Sequence, residues 1–100
     1  MITYIRPKDV LSPKRHWVLV AVLDEGSEED SALALGRWDN KPVLAMRWNG
    51  SNDNPIGNPQ SRGFPTWFVV PEEYRKEILK ALIEEDKRSL ARNFFSSGRK

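Results

Sequence analysis

Few residues in this 100-residue chain could carry reaction chemistry. His16 is the only histidine and there is no cysteine, which removes disulfides, thiolate nucleophiles and the ligand sets that zinc prefers. His16 stands at the start of an apolar run beside Lys14 and Arg15. That is the setting of a packed or solvated side chain, with no nucleophile and orienting acid spaced around it. Carboxylates gather at Glu28, Glu29 and Asp30. Paired acids with separated pKa values can hydrolyse bonds, but adjacent acids in a polar stretch read first as a solvated connection. No glycine-rich phosphate cradle is present. Asn52-Asp53-Asn54 with Gly57 lacks the alternating acids and final glutamate of a calcium loop. Neither a metal nor a cofactor is expected.

Binding chemistry is better represented. Asn49 to Pro65 reads NGSNDNPIGNPQSRGFP, with four asparagines, three glycines and three prolines. Seventeen residues without periodicity are uncommon inside a compact domain and usually functional or disordered. The prolines, Ile56 and Phe64 predict a loop folded down onto the body. Arg47 and Trp48 precede it, and an aromatic beside an arginine at a loop mouth can stack a base or hold a ligand ring. Arg62, between Ser61 and Gly63, can present its guanidinium fork to phosphate or carboxylate, or bond the carbonyls of its own loop. Asn54, Asn58 and Gln60 supply donors and acceptors for a polar ligand or for the loop backbone. The candidate ligand-binding set is therefore Arg47, Trp48, Asn54, Asn58, Gln60 and Arg62.

These residues must be positioned by a small set of elements. His16 to Leu23 is β-branched and aromatic with two apolar faces, which predicts a central strand. Ser31–Trp38 and Pro42–Trp48 predict a hairpin around Asp39-Asn40, residues that tolerate positive φ. A two-residue turn pairs Trp38 with Lys41, Leu35 with Leu44 and Leu33 with Met46. One face is then bulky, and the other carries Ala34, Gly36 and Ala45 with Val43 and Arg47. Thr66–Val70 predicts a further strand. Pro71 and the acids after it predict a helix start, and Tyr74, Ile78, Leu79, Leu82 and Ile83 form one apolar stripe. A single helix from Pro71 to about Asn93 follows. Residues 1–15 form an N-terminal arm with one helical turn from Pro7, its Ile2, Tyr4, Val10 and Leu11 touching the body. Residues 96–100 form a frayed tail.

The fold class is α+β in one domain spanning 1–100: a four-stranded antiparallel, meander-like sheet packed by one C-terminal amphipathic helix. An SH3-like small barrel with a C-terminal helix is the alternative. The longest apolar run is too short to span a bilayer, no secretory signal is visible, and a cytoplasmic location is expected. The net charge of +2 says little about partners, but both ends are basic and residues 24–30 hold five acids and no base. The leading functional expectation is a non-enzymatic binding module using the 49–65 loop, with nucleic acid as the preferred ligand. A protein-interaction or inhibitory domain, including a homodimer through an open sheet edge, is the second. A small carboxylate-dependent enzyme is the third.

Overall fold

The central hairpin forms where its turn chemistry puts it. In the computed structural model, which describes residues 3–97, strand β2 (Ser31–Trp38) runs antiparallel to β3 (Lys41–Trp48). Trp38 lies opposite Lys41, Leu35 opposite Leu44 and Leu33 opposite Met46. Asp39 and Asn40 take φ of 51° and 71°, the left-handed pair that a two-residue hairpin turn requires. The predicted register is the observed one.

Strand β1 (Trp17–Asp24) adds to the outer side of β2. Residues 60–61 and 64–65 (β4 and β5) form a separate two-stranded ribbon. A short β6 (Phe68–Val69) adds to β3, giving the antiparallel order β1-β2-β3-β6. The sheet is open and not closed into a barrel, so of the two architectures read from the sequence the α+β sheet stands. The expected central position of β1 does not: it is an edge strand. Its apolar residues are covered only in part: Trp17 enters one core and Leu23 the other, while Val18 and Val20 stay 57 % and 42 % exposed. Irregularities at Leu19/Ala21 and Val22/Asp24 break its ladder, a device that blunts edges.

The predicted single helix is two, α1 (Glu72–Leu79) and α2 (Glu85–Ser97). The reason is rotational. At 100° per residue, Ile78, Leu79 and Leu82 centre roughly 160° away from Ala91, Phe94 and Phe95. One straight helix would turn one group to solvent. The chain instead closes α1 with Ala81 N–H donating to Ile78 O at 3.0 Å and Leu82 N–H to Leu79 O at 3.2 Å. It then redirects, and both groups reach the sheet. Ile83, expected in the stripe, falls in this break and is 90 % exposed. Ser96 belongs to α2, so the expected fraying does not begin there, and residues 98–100 lie outside the described residues. No helix among the described residues is long and apolar enough to cross a membrane.

The two sheet faces build two cores. Leu33, Leu35 and Leu44 pack with Leu82, Ala91 and Phe94 of the helical segment, with Met46 at the margin. Ala32, Ala34 and Ala45 pack with Trp17, Trp67 and Val10. The small residues make room for the two indoles, whose centroids lie 5.8 Å apart, and for the arm. After a short 3-10 turn at Pro7–Asp9, Val10 is fully buried, and its carbonyl accepts the Trp67 Nε1–H at 2.8 Å. The arm thus covers the smooth face, although Leu11 stays 43 % exposed and Ile2 lies outside the described residues.

Gly36 marks the tightest point, because a Cβ there would stand inside the Trp17 ring, 2.8 Å or less from three of its atoms. Alanine in a strand normally gains about 0.5–1 kcal/mol over glycine. Here Gly36→Ala is expected to lose about 1–3 kcal/mol by overpacking, read as a lower urea midpoint with a shifted buried-tryptophan emission. Leu35→Ala, in the other core, is expected to lose about 2–5 kcal/mol in the same assay.

Candidate functional site

Alternation along β3 decides which side chains can meet a ligand. Met46 and Trp48 point to the helical face and Arg47 to the other. Arg47 is 2 % exposed. Its Nη1 donates to the Thr66 carbonyl and, at 3.5 Å, to Pro59 O; its Nη2 donates to the Ile56 carbonyl. Burial pushes the guanidinium down to about 10, so at neutral pH the group is a cation solvated by loop carbonyls. The backbone-tying role considered for Arg62 is thus filled by Arg47. Gln60 is exposed, and its Nε2 donates to Gly57 O at 3.0 Å within the loop.

Asn49 fastens the other end of the loop. It is 3 % exposed, and its Nδ2 donates to Glu25 O at 2.8 Å and Ser27 O at 2.9 Å. The Asn49 N–H donates to Asp30 O at 2.9 Å and the Glu29 N–H to Gly50 O at 3.2 Å. The acidic connection between β1 and β2 is therefore laid against the start of the long loop. Trp48 and Asn58 exchange backbone hydrogen bonds of 2.7 and 3.1 Å, which returns the loop to the sheet.

The result is a cleft of about 440 Å³ lined by Ser31, Met46, Arg47, Trp48, Asn58, Pro59 and Phe68. Its placement follows from register. Phe68 stands opposite Met46, and Ser31 opposite Trp48, so all four share the helical face of the sheet. Trp48 is nevertheless 58 % exposed and Phe68 54 %. On its other side Trp48 borders a smaller polar depression of about 210 Å³ with Glu29, Asn49, Ser51, Asn54 and Asn58.

Of the six candidates, Arg47, Trp48 and Asn58 line the cleft, and Asn54 joins Trp48 and Asn58 at the adjoining depression. Arg47 and Gln60 are engaged with backbone carbonyls. Arg62 lies elsewhere, lining a depression with Lys14 and Phe64. Met46, Pro59, Phe68 and Glu29 line the site without having been candidates. Phe68 was within reach of sequence reasoning, since it alternates with the core residue Trp67 and must leave on the opposite side. His16 is used structurally: its Nδ1 lies 2.6 Å from Asp39 Oδ1, and its ring stacks on Trp38 with centroids 5.2 Å apart.

Removing the Arg47 head group leaves the half-buried carbonyls of Ile56 and Thr66 without their donor. Arg47→Met is expected to lose about 3 kcal/mol or more and to expose the 49–66 segment to limited proteolysis. Arg47→Lys, one ammonium in place of a fork, is expected to fall between that variant and the parent in the same urea series.

Compared with known proteins, the chain matches no family model, no curated protein and no solved structure.

Proposed function

We propose that the protein is a non-enzymatic binding module that docks a short peptide segment of a protein partner in the Trp48 cleft. An apolar anchor side chain of the peptide would sit between Trp48 and Phe68, with a basic residue beside it facing the acidic rim. The observation that carries this reading is the pair of half-exposed aromatics on a sheet face that the helices cover elsewhere. Large aromatics left open to water in a cleft of this size are the usual anchors of recognition sites.

Charge selects the kind of ligand. Glu28, Glu29 and Asp30 are exposed in the connection tied to the cleft's margin, and neither Glu28 nor Glu29 has an ion pair among the described residues. Such a rim attracts Lys or Arg and repels phosphate, which favours a basic peptide over nucleic acid at this position. An enzymatic reading gains no support from the geometry: Glu29 and Arg62 line separate depressions.

A peptide library carrying one fixed Leu, Phe or Trp with variable Lys/Arg neighbours tests the proposal, with anisotropy as readout. Trp48→Ala is expected to weaken binding tenfold or more, about 1.4 kcal/mol, while changing stability by no more than about 0.5 kcal/mol. Glu28→Gln with Glu29→Gln is expected to weaken it less and to flatten its salt dependence. A library without any binder, or binders indifferent to Trp48→Ala, would overturn the reading. So would self-association abolished by Trp48→Ala in light scattering, which would assign the cleft to a second copy.

A further inference from the structure

A second surface lies on the β4–β5 ribbon and the N-terminal arm, and its chemistry is opposite to that of the Trp48 cleft. Gln60-Ser61 pairs with Phe64-Pro65, leaving Arg62-Gly63 as a two-residue turn with φ of 53° and 83°. Asparagine, aspartate or glycine normally occupies the first of these positions, because a left-handed backbone disfavours larger side chains. This chain places an arginine there. A residue held in a disfavoured conformation at an exposed tip points to a use for its side chain.

The surroundings indicate that use. Arg62, Lys14 and Phe64 line a depression of about 380 Å³ together with the hydroxyl residues Ser12, Ser61 and Thr66. No acid contributes to it. Arg62 and Lys14 are exposed, and neither has an ion pair among the described residues. Phe64 is 62 % exposed, and open space surrounds Gly63 beside it. Two free cations, an exposed ring and hydroxyl donors are the parts that grip a phosphodiester strand and stack a base without regard to sequence.

We infer that the β4–β5 hairpin tip and the arm form a contact surface for single-stranded nucleic acid. The exposed face of Phe64 stacks one base, and Arg62 and Lys14 hold the adjoining phosphates. The ring distinguishes this ligand from a bare anion, and the unpaired base required for stacking distinguishes single strands from duplex.

The test is anisotropy of a fluorescein-labelled, mixed-sequence single strand of about twelve nucleotides, within the length such surfaces cover, titrated with the full chain across a tenfold range of salt. Two phosphate contacts give a slope of about −1.4 in log K against log salt, so affinity is expected to fall about 25-fold over that range. Phe64→Ala is expected to weaken binding about fivefold or more. Arg62→Asn puts a residue suited to the turn in place of the arginine. It is expected to keep or raise the melting temperature while weakening binding and halving the salt slope. Trp48→Ala is expected to bind the strand as the parent does. The inference is overturned by no binding at the lowest salt, or by affinity unchanged in both Arg62→Asn and Phe64→Ala. It is equally overturned by inorganic polyphosphate competing as well as the strand and independently of Phe64, or by loss of binding in Trp48→Ala.

Discussion

A buried cation holds the long-loop side of this molecule together. Arg47 takes its charge out of water and recovers the solvation from carbonyls of Ile56, Pro59 and Thr66. These oxygens belong to an irregular segment whose backbone has few ladder partners. A loop of this kind would otherwise leave buried carbonyls to find water or go unpaired. The guanidinium fork satisfies several at once and fixes their separation. Gly57 shows how close the approach is: its φ is 71° and a Cβ there would lie 2.6 Å from Arg47 Nη2. The glycine is needed both for its backbone angle and for the space it leaves to the cation.

That constraint propagates through the alternation of β3. Because Arg47 turns toward the smooth face, Met46 and Trp48 must turn toward the bulky one. The helices cover this face over Leu33, Leu35 and Leu44 but leave Trp48 open. The cleft is the stretch of sheet beyond the helical cover, walled by the loop segment that Arg47 fastens. The smooth face is closed by different means, two indoles and the arm lying on alanines and a glycine. A bulkier residue at Ala34 or Ala45 would lift the arm, and with it the Ile5 N–H bond to Pro55 O at 3.0 Å that braces the loop from the other side.

The hairpin register was legible because two independent signals agreed: Asp39-Asn40 specified the turn length, and one choice of pairing sorted large from small side chains. The site was legible only in part. Arg47 and Trp48 are neighbours in sequence, which suggested a joint aromatic-basic contact. Neighbours on a strand face opposite ways, so one became scaffold and the other surface. Which arginine would grip the loop could not be decided from residue types, since Arg47 and Arg62 carry the same fork; burial decided it. The helix break is written in the angular offset between Ile78 and Phe94, and the stripe from Tyr74 to Ile83 alone does not contain it. The edge position of β1 had no local signal, since its apolar run is the same whether its valines are covered or, as Val18 and Val20 are, left exposed.

Charge is sorted along the same frame. The five acids of residues 24–30 are drawn to the loop's beginning by Asn49, while Arg62 is carried outward on the ribbon near its end, beside Lys14 of the arm. Arg6 of the arm pairs with Glu25 of the acidic connection at 2.7 Å, while Lys14 and Arg15 have no ion pair among the described residues. Opposite charges free to meet would pair and cancel as recognition elements. Held apart by a segment whose carbonyls are locked on Arg47, they remain available to ligands of opposite sign. The bonds from Arg47 and Asn49 to backbone carbonyls therefore matter for more than stability: they set the acidic connection and the basic tip at different ends of the loop.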